Sequence, residues 1–230
     1  MSGAPTHLHY EFGGQKEYCL SFGSAAANRN ILIVPPLFGE MNRVRRMLAN
    51  AMRALAERGV RTLLPDLPGS NESAAQLAGQ TIETWQIAVA AAALQLGATH
   101  IASIRGGALI DHKTGLPMWR LAPVKGSSLL KTMLRTRIAA EKEAGRNITI
   151  EQLMAAAQSG PLELSGYALG IDMLESLDSA LPTANSNLHE AALSDIDGSA
   201  LWLRAEPQDD PVMSMSLAAE LDRWSASCGG

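Results

Sequence analysis

Apolar positions change period several times along the chain, and each change marks an element. His7 to Phe12 and Tyr18 to Phe22 alternate apolar and polar residues on a period of two with Gly13-Gly14 between them, which predicts a β-hairpin. Asn30-Ile31-Leu32-Ile33-Val34 is instead an unbroken apolar run stopped by Pro35-Pro36, the pattern of a strand covered on both faces of a parallel sheet. From Met41 to Arg58 the period lengthens to that of a helix, with Met47, Leu48, Met52 and Leu55 on one side and Gly59 as its stop. Val60 to Leu64 predicts the next strand, Asp66 to Ser70 a loop, Thr81 to Leu96 a long helix, and Thr99 to Ile104 a further strand. Alternation of strand and helix in this order implies an α/β fold, a mostly parallel sheet covered by helices.

Beyond Ile104 the segments shorten. Ala108-Leu109-Ile110 meets the polar stretch Asp111 to Gly115 almost at once, so it forms a stub of helix before a strand at Met118 to Leu121, or pairs with that strand as a hairpin. The stub helix is the preferred reading. Ser127 to Ala144 is helical and basic, carrying Lys131, Arg135 and Arg137, and a second helix, Ile150 to Ala157, follows Asn147 and Thr149 as capping residues. These two make a small helical insert at about 127–158. Pro161 to Ser165 and Ser199 to Leu203 are the remaining strand candidates, each followed by a helix, at Ile171 to Leu177 and Met215 to Trp224. The 230 residues suit a single domain, 1–230. The pattern ends without the last strand such a sheet usually has, an edge that a second copy would cover in a homodimer.

Composition then narrows the classes. With 47% apolar and 18% charged residues the chain falls among folded globular proteins. A net charge of -4 argues against a nucleic-acid partner. Met1 to Glu11 lacks the basic start and apolar core of a secretory signal, and no apolar run reaches the ~20 residues that span a bilayer. Cys19 and Cys228 stand at opposite ends, without a metal or disulfide spacing. The expectation is a cytoplasmic protein with reduced thiols, no membrane span and no cofactor.

Candidate chemistry gathers at Ser103-Ile104-Arg105-Gly106-Gly107. This has the outline of a nucleophile elbow, in which small residues in a Gly-x-Ser-x-Gly turn lift a serine oxygen above the sheet. Here Arg105 holds the serine's place. A guanidinium has donors and no acceptor, so it holds a carboxylate or phosphate and cannot act as nucleophile or base.

The segment Val34-Pro35-Pro36-Leu37-Phe38-Gly39-Glu40-Met41-Asn42-Arg43-Val44-Arg45-Arg46-Met47 resembles a branch of the α/β-hydrolase superfamily, the exosortase A system-associated hydrolases of the second type. Glu40, Met41, Asn42, Arg45 and Arg46 match that family's run, and Gly39 replaces its first glutamate. Leu64-Pro65-Asp66-Leu67-Pro68-Gly69 is similar to its Pro-Asp-x-x-Gly loop, Trp85 falls in its following helix, and its elbow also carries arginine. Trp119 to Gly126 resembles its Trp-x-Pro-x-x-x-Gly stretch with one extra residue, and Leu134-Arg135-Thr136-Arg137 and Ser165-Gly166-Tyr167 continue the likeness. The resemblance implies an α/β-hydrolase fold and a bacterial setting of exopolysaccharide synthesis and surface-protein sorting.

A Ser-His-Asp triad needs an acid and then a histidine on later loops. Asp209 and Asp210 stand where an acid is expected, but the last histidine, His189, precedes them. Ser103 as a displaced nucleophile is placed at the strand end, facing the sheet. Ser128-Leu129-Leu130-Lys131 matches Ser-x-x-Lys without its companion motifs, and His7 and His9 are two ligands where a tetrahedral metal needs four. The first reads as chance and the second as a pair of exposed histidines on an edge strand. What remains is Glu40, Asn42, Arg45, Arg46 and Arg105, facing the backbone donors of the elbow and the N-terminus of its helix. Either they bind an anion, a glycan acid or phosphorylated sugar, or Glu40 pairs with Arg105 in a buried salt bridge while Arg45 and Arg46 face solvent. The functional expectation is a pseudoenzyme, an accessory or anionic-ligand-binding protein partnered with an exopolysaccharide system. The alternatives are a hydrolase of ester or acyl groups using water activated by Glu40 or Asp66, and an interaction protein docking through Lys131 to Arg137.

Overall fold

The structure, a computed structural model, describes residues 4–228. Its centre is a seven-stranded sheet ordered β1-β2-β4-β3-β5-β6-β9. β1 (Thr6–Phe12) and β2 (Gln15–Phe22) form the predicted hairpin, and β2 also runs antiparallel to β4 (Arg61–Pro65). β3 (Asn30–Val34), β4, β5 (His100–Ile104), β6 (Met118–Leu121) and β9 (Leu188–Ala191) are mutually parallel.

The unbroken apolar strands are sandwiched as their composition requires. Along β3, Leu32 and Val34 join one core cluster, with α2 (Ile82–Gln95), α3 (Gly126–Glu143), α4 (Ile150–Ala157) and α5 (Ile171–Ser179). Ile31 and Ile33 join the other, with α1 (Gly39–Glu57) and α6 (Pro211–Ser227). Side chains alternating across a strand therefore feed two cores from one run. Thr81 caps α2 by accepting from the Thr84 N–H at 3.0 Å, and Thr149 and Gln152 form a capping box on α4.

Two strand assignments differ from expectation. Ser199 to Leu203 is not a strand: Leu201–Leu203 is a 3-10 turn with Leu201 and Trp202 buried and Leu203 exposed. The place beside β6 belongs to Leu188–Ala191, paired Trp119↔His189 and Leu121↔Ala191. Its exposed His189 and Glu190 hide it from any apolar pattern. Pro161 to Ser165 does contain a strand, β7 (Leu162–Leu164), but it pairs with β8 (Tyr167–Leu169) in a separate hairpin. The stub after Ile104 is two 3-10 turns, Arg105–Leu109 and His112–Thr114, and Met118–Leu121 is parallel to β5, which excludes the hairpin alternative.

That short crossover is tied down by a buried ion pair. Arg120 donates to Asp111 through Nε at 2.8 Å and Nη2 at 2.6 Å, and Nη2 also reaches the Thr183 carbonyl at 2.6 Å. Ser103 Oγ donates to the same carboxylate at 2.6 Å. Both charged side chains are essentially sealed, at 1% and 0% exposure. Arg120→Met alone is expected to cost about 3–5 kcal/mol in urea unfolding because it strands a buried carboxylate, and Asp111→Leu added to it should recover a large part of that loss.

The turn itself packs against the end of β3: a Cβ on Gly107 would lie 2.4 Å from the Val34 carbonyl oxygen. Gly107→Ala should lower stability by about 3 kcal/mol, whereas Gly39→Ala, where nothing lies within 4 Å, should change it by less than about 0.5 kcal/mol. Thermal unfolding of the two variants side by side checks the contrast.

Candidate functional site

β5 delivers Arg105 at the C-terminal edge of the sheet with φ of 55°, the left-handed conformation that few side chains adopt. The elbow's backbone is thus bent as for a nucleophile, with arginine at its apex. Its guanidinium lies over Glu40, the second residue of α1, with Nε 3.2 Å from Oε2 and Nη2 3.1 Å from Oε1. Nη1 reaches the Ala122 carbonyl at 3.3 Å, and the Trp202 ring centre is 5.6 Å from Cζ. All three guanidinium nitrogens are engaged, and the pair is partly sheltered, at 18% and 15% side-chain exposure.

The other three residues of the expected constellation point elsewhere. Asn42 Nδ2 donates to the Tyr167 hydroxyl at 3.3 Å, Arg45 donates to Asn71 at 3.3 Å, and Arg46 pairs with Asp209 at 3.0 Å. The helix N-terminus expected behind Arg105 is only a five-residue 3-10 turn, too short to aim a dipole at a ligand. The turn is also tightly packed: a Cβ on Gly106 would meet Leu129 at 2.8 Å and Leu37 at 3.1 Å.

Triad candidates are dispersed. Ser103 is buried in the Asp111 network, and Asp210 caps α6 by accepting from the Met213 N–H and from Ser199. Asp209 belongs to Arg46 and Asn50, and His189 faces Glu220. Among the described residues no histidine hydrogen-bonds Arg105, Glu40 or Ser103. His7 meets Tyr18, and no group of residues suited to a metal ion occurs among those described. Burial raises the Asp66 carboxyl pKa above its ordinary value against the opposing pull of Asn71, the Glu72 N–H and Arg45.

Two clefts flank the loop that joins β3 to α1. The first, about 50 Å³, lies beside Phe38, Trp85 and Tyr167, whose rings meet pairwise through Phe38 at 5.5 Å. Its polar groups are already paired, Asn42 with Tyr167 and Asn71 with Asp66. The second, about 120 Å³, lies between α1 and α3 and has Glu40 and Arg43 on its wall. Arg43 donates to the Trp202 carbonyl at 3.1 Å, so Glu40, Arg43, Arg105 and Trp202 form one connected group. Arg43 is a functional candidate that the sequence reading passed over. Its spacing from Glu40, three residues along a helix and hence on the same face, was the available signal. Trp202 and the Ala122 carbonyl gave none, because nothing in sequence joins them to the elbow.

No protein-family profile matches the sequence, and no curated protein does either. Solved structures do. The proline iminopeptidase-related protein of Thermus thermophilus superposes at a TM-score of 0.60 over 97% of this chain and 98% of its own, at 13% identity. Est1E of Butyrivibrio proteoclasticus, solved with ferulic acid bound, gives 0.58 over 96% and 97%, at 14% identity. The epoxide hydrolase VrEH1 of Vigna radiata gives 0.42 at 20% identity over 51% of this chain, which spans 39% of its length. Sheet order, bent elbow and the two near-complete superpositions agree that the chain has the α/β-hydrolase fold.

Proposed function

We propose that this protein uses the α/β-hydrolase fold without its chemistry, holding a carboxylate- or phosphate-bearing ligand at the elbow as an accessory protein. The observation that carries this reading is the two-pronged contact between Arg105 and Glu40. Where the fold presents a nucleophile, this chain presents a fork of donors shaped for a carboxylate. Glu40 acts as an internal stand-in for the ligand's anionic group, with Arg43 beside it. The likeness of Val34 to Met47 to the exosortase A-associated hydrolases supports a bacterial, cytoplasmic setting beside exopolysaccharide synthesis, and no described helix is long and apolar enough to cross a membrane. A hydrolytic reading has weaker support. Both Glu40 oxygens accept from Arg105, those of Asp66 accept from Asn71 and the Glu72 N–H, and among the described residues neither carboxylate hydrogen-bonds a serine or a histidine.

Calorimetric titration with glucuronate, acetate and inorganic phosphate tests the proposal. Glu40→Gln removes the internal competitor and should tighten anion binding about tenfold, the equivalent of one charge-assisted hydrogen bond. Arg105→Ala should abolish it. Hydrolysis of p-nitrophenyl acetate should stay at the buffer rate in wild type and both variants. Turnover that disappears on either substitution overturns the non-catalytic reading.

A further inference from the structure

Away from the elbow, a cleft of about 420 Å³ lies between the β1–β2 hairpin and the loop leading into α2, and it shares no lining residue with either cleft beside the elbow. Gln15, Gln76, Gln80 and Thr84 supply much of its polar wall, and Glu17 is its one charged residue. Glu17 is buried at 1% exposure, a position glutamate rarely takes unless it is paired. Half of the pairing is made. Ser73 Oγ accepts from the Gly69 and Ala75 N–H groups and donates its own proton to Glu17 Oε1 at 3.0 Å. Oε2 has no hydrogen-bond partner, and Glu17 enters none of the ion pairs among the described residues. A buried acceptor left open in this way costs free energy that a donor restores.

We propose that this cleft binds a primary amine, whose ammonium group donates to Glu17 Oε2. The charge follows from the wall, where a carboxylate stands with no cation to neutralise it. The head group follows from what is open on that carboxylate. A guanidinium fork is best matched by two open oxygens, and Ser73 already holds Oε1, whereas an ammonium is a point charge that gives a single bond to Oε2. Gln15, Gln76 and Gln80 line the same cleft and carry amide oxygens, acceptors for the remaining ammonium protons. A divalent metal is a poorer fit, since no cluster of three His, Cys, Asp or Glu side chains occurs among the described residues.

Proton–nitrogen correlation NMR on the full chain tests this, with ethanolamine hydrochloride as the probe and tetramethylammonium chloride and potassium chloride at matched ionic strength beside it. Ethanolamine should shift the amide signals of Glu17, Ala75 and Gln76 saturably, and tetramethylammonium, which has the charge but no N–H donor, should bind at least about tenfold more weakly. Glu17→Gln should weaken the amine by about tenfold or more. Because that variant alters a buried group, Gln76→Trp is the second arm: Gln76 is exposed, so tryptophan adds bulk to the cleft wall without entering the core. It too should weaken the amine about tenfold, with Tm unchanged. Wild-type signals that move no more with ethanolamine than with potassium chloride overturn the proposal and leave Oε2 to a trapped water. Equal affinity for tetramethylammonium overturns it by reducing the effect to unspecific attraction of cations. Binding untouched by Gln76→Trp overturns it by putting the amine elsewhere.

Discussion

A carboxylate taken out of water has to meet a cation and the full complement of donors, and Asp111 is where this chain satisfies that demand. Arg120 and Ser103 supply the donors, and Arg120 passes a further bond to the Thr183 carbonyl. The four groups come from the end of β5, the crossover, β6 and the loop before β9. In many parallel sheets a full helix covers such a crossover and fixes its geometry through apolar packing. Here the crossover is two 3-10 turns, and the buried pair takes over the positioning. Through Ser103 and the Thr183 carbonyl it ties the end of β5 and the approach to β9 to the same carboxylate–guanidinium pair.

That foundation explains how a residue as large as arginine sits at φ of 55°. Strain of this kind persists only where the surroundings determine the conformation. Gly107 lets the turn close against Val34, and Ser103 fixes the preceding strand from below. The side chain then has few directions open. It lies against Glu40, the Ala122 carbonyl and Trp202, contributed by α1, the turn after β6 and the turn before α6.

The central fold was legible because β3, β4 and β5 are apolar throughout and the helices between them keep a clear period. Boundaries at Arg61–Pro65 and Gly39–Glu57 moved by only a residue or two. β9 was not legible, since an edge strand with one face open to water needs little apolar character, and Leu188-His189-Glu190-Ala191 has none to spare. Trp202 misled for the opposite reason: an apolar triplet reads as strand, but burial of two of its residues is met equally by a turn against α1. At the site, the pairing of Glu40 with Arg105 was legible from the motif, while the departure of Asn42, Arg45 and Arg46 was not. Helical spacing tells which residues share a face, and only the tertiary fold tells what that face meets.

Two arginine–carboxylate forks of nearly the same shape stand within this one region, and their surroundings give them different capabilities. Asp111 with Arg120 is closed to solvent at 0% and 1% exposure, so separating the pair would leave two buried charges with no water to receive them. It is a permanent structural part. Glu40 with Arg105 is open at 15% and 18%, and Glu40 borders a cleft. Water there can solvate the displaced carboxylate while another anion takes its place on the guanidinium, so the exchange conserves charge at the arginine and strands nothing. Partial shelter strengthens the contact relative to a surface ion pair, and partial exposure keeps it exchangeable. A fork with those two properties at the apex of the elbow is suited to holding and releasing an anion, which is the physical basis for reading Arg105 as a binding residue.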